Sequence, residues 1–197
     1  MPVKLLIPRK DYLATGICFG AKTKTKDMKE FIYKTRPDGL TILNLKKIDE
    51  RIRIAAKFLA RSKNILIASR KKIARKAVEK FGEAINAKVF VGRFLPGTLT
   101  NPACEYFYEA DVVVITDPLT DKRALQEAVK ARVPIVAICN TFNETKYVDL
   151  VIPANNRGRK SIGLIFYLLA KEILKERGEI KSDDEFKFKL EDFVGTG

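Results

Sequence analysis

DVVVITDPLTDKRALQEAVKARVPIVAICNT, residues 111–141, contains a complete strand, helix and strand. Residues 112–116 are five β-branched side chains in a row, the pattern of a strand covered on both faces. Asp117-Pro118 ends that run, because an Asp before Pro shapes a turn at a strand end. Over 121–132 the apolar residues Ala124, Leu125, Ala128 and Val129 recur at helical spacing and are expected to face inward. Residues 134–139 then form a second unbroken apolar run. Strands joined by a helix in this way belong to a parallel sheet.

The same alternation extends outward in both directions. Further candidate strands are 41–45, 64–68, 88–91 and 148–152. Between the first two, Ile48, Ile52, Ala55 and Leu59 define one buried helical stripe, with Arg53, Lys57 and Arg61 on the opposite arc. A helix after 64–68 buries Ile73, Ala77 and Phe81. Ser161 is the expected N-cap of a last helix running to about Arg177, where Gly178 stops it. The fold class that follows is α/β: a mostly parallel sheet of about five strands with helices on both faces. Residues 1–40 are expected to form an N-terminal arm with a short helix near 27–33, 41–178 the α/β domain, and 179–197 a charged tail that takes its order from partners.

Composition narrows the function. The 197 residues, 46% apolar, suit one domain with a substantial core. Thirty-eight basic against 24 acidic residues give a formal charge of +14, and residues 41–100 alone hold 15 Lys or Arg against 4 Asp or Glu. Thermophile ion-pair networks would add both signs. A field this one-sided instead suits a partner rich in phosphate. Residues 101–150 reverse it, with 5 basic and 8 acidic residues, and could face basic proteins. No apolar run approaches the roughly 20 residues of a membrane span, and no secretory leader is visible, so the expected location is cytoplasmic. Without histidine, and with Cys18, Cys104 and Cys139 isolated, no metal site is expected.

One segment, GRFLPGTLTNP at 92–102, spaces Gly92 and Gly97 as a phosphate-binding loop does. Thr98-Leu99 stands where such a loop needs Lys-Ser or Lys-Thr. A nucleotide-binding α/β enzyme using Gly92 to Leu99 with Asp117 is therefore the alternative reading, and no cofactor or catalytic residue is expected. RNA contact fits the inventory better. Lys22, Lys24, Lys26, Arg36, Arg70, Lys71, Lys72, Arg93, Arg157, Arg159 and Lys160 fall in expected loops or helix starts, where cations and free backbone N–H groups meet phosphate.

GRFLPGTLTNP, the run from Asp111 to Thr141, and YVDLVIPANNRGRKSIGLIFYLLAKEIL at 147–174 together resemble the universal small-subunit ribosomal protein S-two family in its archaeal and eukaryotic form, which includes ribosomal protein SA, the laminin-receptor precursor. KTKDMKEFIYKTRPDGLTILNLKKIDERI at 24–52 is similar to that family's N-terminal region, so the resemblance spans about 12–177. It implies a flavodoxin-like α/β domain without enzymatic activity, bound to small-subunit rRNA and neighbouring ribosomal proteins near the junction of head and body. Bacterial members carry a helical hairpin that residues 34–41 leave no room for, which favours an archaeal source. Family members commonly show Gly-x-His near the start, whereas this chain reads Gly16-Ile17-Cys18.

Overall fold

In the computed structural model, which describes residues 5–181 and 185–195, a five-stranded parallel sheet has the spatial order β4-β3-β5-β6-β7. Its strands are β3 (Ile65–Ser69), β4 (Lys88–Val91), β5 (Val112–Ile115), β6 (Ile135–Cys139) and β7 (Leu150–Pro153). Counted along the chain within the sheet, this is the 2-1-3-4-5 order of flavodoxin-like folds. Both β3 and β6 are buried at every position, as expected of strands covered on two faces.

The helices follow from the strand order. The β3 to β4 crossover moves one way along the sheet and the β5 to β6 crossover moves the other. Right-handed connections therefore place α3 (Arg75–Ile85) and α4 (Lys122–Ala131) on opposite faces. With α3 pack α5 (Arg159–Glu176) and, against α5, α2 (Leu45–Ala60), which begins at Asn44, whose side chain accepts the Lys46 N–H. Ile48, Ile52, Ala55 and Leu59 are all fully buried on α2, as their spacing predicts.

Four expectations need amending. Residues 41–45 do not join the parallel sheet: β2 (Thr41–Leu43) pairs antiparallel with β1 (Ile32–Thr35) in a separate hairpin that straddles position 40. A three-residue strand such as Thr41-Ile42-Leu43 looks the same locally in either setting, and only its distant partner decides. Val129 is 38% exposed, at the margin of the buried face of α4. Ser161 lies inside α5, whose N-cap is Gly158, and its hydroxyl donates to the Asn155 carbonyl. Finally, residues 185–195 take order from the domain itself. Phe186 and Phe193 are buried against Tyr167 of α5, at ring distances of 5.4 and 5.7 Å, and α6 (Leu190–Val194) packs on α3 and α5. The apolar side chains of this segment are few, but α5 supplies the surface they lack.

The N-terminal segment is equally integrated. Tyr12 of α1 (Arg9–Thr15) is fully buried and donates to Asp49 on α2 at 2.7 Å. Ile17, Met28 and Phe31 enter the same core. Cys18, where the family pattern has His, is 5% exposed, and burial pushes its thiol up to about 11. It fills core space and its carbonyl accepts the Leu43 N–H.

Candidate nucleic-acid interface

In a flavodoxin-like sheet the ligand crevice lies beyond the carboxyl ends of the strands where the order reverses, here between β3 and β5. That crevice is filled by the protein's own polar groups. The hydroxyls of Ser69 and Thr116 meet at 2.7 Å, and Thr116 donates to Asp121 at 2.9 Å. The Arg70 N–H donates to the other Asp121 oxygen at 2.6 Å. Asp117 pairs with the Lys71 ammonium at 2.7 Å and accepts from Thr120 and Asn143. Asn143 accepts in turn from Asn156.

These two carboxylates titrate in opposite directions. Burial raises Asp117, but the Lys71 hydrogen bond and charge, with Thr120 and Asn143, outweigh it and hold the carboxyl below its ordinary range. Among the described residues no cation pairs with Asp121, and burial pushes it up to about 6 despite the Arg70 N–H and Thr116 hydroxyl. Both groups face inward and act on structure.

The loop that resembles a phosphate cradle is closed in the same manner. The Gly97 and Leu99 N–H groups, which such a loop would turn to phosphate, donate to the two carboxylate oxygens of Glu127 on α4 at 2.9 and 3.3 Å. Gly97 has φ +93, and a Cβ there would meet the Cys104 sulfur at 2.9 Å, so this position requires glycine on two counts. Thr98 is fully buried and donates to the Leu95 carbonyl, while the Asn101 side chain holds the turn through the Ala103 N–H and the Cys104 sulfur. The nucleotide-enzyme reading loses its loop to an internal carboxylate. Glu127 carries no sequence signal for this role, because it looks like an ordinary solvated residue of a helix.

The cations have a different fate. Arg70, Lys72, Arg93, Arg157, Arg159 and Lys160 are exposed, whereas Lys71 is turned inward with a side chain 14% exposed. Arg70 and Arg93 line one cleft together with Arg123, and Lys72 and Arg157 line a second. Thr120 lies in both. Lys72 and Ile73 continue into a third cleft, which holds Arg75, Lys76 and Arg159. The result is a mainly basic band that runs from the carboxyl edge of the sheet onto α3, where Glu79 pairs with Arg75. Arg123, Arg75 and Lys76 belong to it although they sit within expected helices and were not singled out by the sequence. The signal that finds them is chain distance from a strand end, within which all three fall.

Lys22, Lys24 and Lys26 approach this edge from another side. The threonines alternating with them are tied to the loop after β6: the Thr25 hydroxyl donates to the Asn143 carbonyl at 2.9 Å, and the Thr23 backbone carbonyl accepts from the Thr141 hydroxyl at 3.0 Å. Pinning the threonines leaves the three lysines exposed. Arg157, in the connection from β7 to α5, stacks on Phe142 of that loop with its guanidinium 4.1 Å from the ring centre. Arg36 stands apart, on the β1–β2 hairpin, where it lies over Phe19 at 5.6 Å. Among the described residues no cluster of Cys, Asp or Glu could hold a metal, and no helix is long and apolar enough to cross a membrane.

The site thus defines an α/β scaffold of flavodoxin-like order, with an internal Lys71–Asp117 pair at its switch point and exposed cations along its carboxyl edge. Sequence comparison gives the family. The model of the family described as Ribosomal protein S2 matches residues 12–104 and 107–176, and this chain belongs to that family. Small ribosomal subunit protein uS2 of Picrophilus torridus is 48% identical over 195 residues, which cover 98% of both chains. The protein of the same name from Thermoplasma acidophilum is 46% identical over 195 residues, again 98% of both. That of Staphylothermus marinus is 50% identical over 185 residues, 93% of this chain and 84% of the relative.

Proposed function

We propose that the protein is a structural constituent of an archaeal small ribosomal subunit, where it binds rRNA and neighbouring ribosomal proteins in the cytoplasm. Nearly full-length similarity to archaeal small-subunit proteins supports this reading. The observation that carries it is the contrast at the carboxyl edge. The crevice a nucleotide would need is occupied by Lys71 and Asp117, while the cations around it stand outward. Lys71 and Asp117 are spent on each other, and the outward cations beside them suit a polyanion.

The mechanism is scaffolding. Lys22, Lys24, Lys26, Arg36, Arg70, Lys72, Arg93, Arg157, Arg159 and Lys160 neutralise rRNA phosphates, and Lys71 supports the edge from inside. Arg159 and Lys160 open α5, where the helix dipole is already positive, so bound phosphate relieves an unfavourable placement. A seat near the junction of head and body follows from the family resemblance. The more acidic 101–150 segment would then turn toward basic proteins.

Co-sedimentation tests the reading. The full chain should travel with small subunits through a gradient at moderate salt and leave them at high salt. A chain that stays in the light fractions at low salt contradicts it.

A further inference from the structure

Three arginines from three strand ends converge on one place. Arg70 follows β3, Arg93 follows β4 and Arg123 lies in the first turn of α4 after β5, and all three line a cleft of about 210 Å³. None of their guanidinium groups has a carboxylate within ion-pair distance among the described residues, in contrast to Arg75 with Glu79 or Lys80 with Glu83 on α3. Asp121 lies in the wall, but both of its oxygens are held by the Arg70 N–H and Thr116. Three like charges around one cleft repel unless an anion sits between them. Arginine suits that anion, because its planar fork grips phosphate oxygens in pairs.

One stretch of the cleft lining, at Gly92, is bare backbone. Gly92 has φ +94, and no atom lies within 4 Å of the place a Cβ would occupy, so a ligand can approach the main chain directly. Size limits what enters. Pockets for whole small molecules run to about 300–1,000 Å³, and this cleft falls below that range.

We infer that Arg70, Arg93 and Arg123 together hold a single RNA phosphodiester at a turn of the strand, with the adjoining ribose laid on Gly92. This rests on the proposed binding of small-subunit rRNA. It adds that the three arginines share one phosphate rather than meeting three. The two cases differ in salt dependence, since each phosphate neutralised contributes about 0.7 to 0.9 to the slope of log affinity against log salt.

The test measures binding of the full chain to small-subunit rRNA across salt concentrations, for the native protein, for Arg123→Gln, and for the triple variant Arg70→Gln, Arg93→Gln, Arg123→Gln. All three positions are exposed, so the variants should melt with the native chain. The triple variant should lower the slope by about 0.7 to 0.9, the worth of one phosphate. Phosphate-ethylation interference on the same rRNA should lose one position, and the same one, in Arg123→Gln and in the triple variant. A fall of about 2 to 3 in slope, with three interference positions lost, overturns the shared site and leaves rRNA binding intact. An unchanged slope in the triple variant, beside a steep native slope, also overturns the site alone. A flat native slope instead removes the RNA reading on which the site rests. Titration with inorganic phosphate and with ATP separates the remaining source of phosphate. Micromolar binding of either, abolished in the triple variant, would overturn the phosphodiester assignment in favour of a free ligand.

Discussion

The Lys71 ammonium lies 2.7 Å from the Asp117 carboxylate, and the two side chains keep only 14% and 3% of their surface in water. Lys71 also donates to the Asn156 carbonyl, so one cation ties together the ends of β3, β5 and β7. Its neighbour Lys72 is exposed. Two adjacent lysines thus do different work, and substitution should separate them. Lys71→Met leaves Asp117 buried without its partner and should cost about 3–5 kcal/mol of stability in a denaturant titration. Lys72→Gln should leave stability within about 0.5 kcal/mol of the native value and lower the salt slope of rRNA binding. A stable Lys71→Met protein would show that the pair does not hold the edge together.

Because the folded Asp117 carboxyl titrates below the ordinary carboxylate range, the stabilisation it gives is present above the unfolded value and lost as pH falls through the folded one. Asp121 acts oppositely. Its folded value near 6 means that the native state keeps a proton the unfolded chain has lost, so stability from this group declines as pH rises from about 4 to 6. Asp121→Asn should fit the same space: its carbonyl accepts from Arg70, and its amide donates to Thr116, whose hydroxyl turns to Ser69. Relative to native, the variant should gain about 3 kcal/mol between pH 4 and pH 7, at about 1.4 kcal/mol per pH unit separating folded and unfolded titration. A variant whose stability tracks the native curve across that range contradicts the assignment.

Glu127 should matter to the 92–102 loop and not to binding. Glu127→Ala leaves the Gly97 and Leu99 N–H groups without acceptors, at a cost of about 1–3 kcal/mol. Hydrogen exchange at those two amides should accelerate, and affinity for rRNA at moderate salt should hold. Unchanged exchange at Gly97 would mean that the carboxylate does not close the turn.

The order in the C-terminal segment depends on aromatic packing. Phe193 is 1% exposed and meets Tyr167, Phe186 and Phe188. Phe193→Ala should release residues 185–195 from α3 and α5 while the sheet stays intact. Proteolysis and hydrogen exchange would then localise the change to this segment. Loss of protection throughout β3 and β5 instead would make the segment part of the central core.

Local pattern was enough to read the parallel sheet, because 112–115 and 135–139 are apolar without interruption and the helix between them has a clean stripe. It failed for 41–43, whose setting is fixed by pairing with Ile32–Thr35. The same limit governs the interface. That Arg70, Lys72 and Arg93 would be outward cations was legible from their positions after strands. That Lys71 would turn inward was not, since its partner Asp117 comes from a different strand end and is brought beside it only by folding. Glu127 was missed for the same reason, and Arg123 because its place in an expected helix hid its closeness along the chain to the end of β5.

A crosslink map between this chain and rRNA in the assembled small subunit tests the central claim most directly. Contacts should concentrate on the carboxyl edge, at Arg70, Lys72, Arg93, Arg123 and Arg157, with Lys24 and Lys26 beside them. Crosslinks to rRNA drawn predominantly from 101–111 and 144–149, with the carboxyl edge silent, would contradict it.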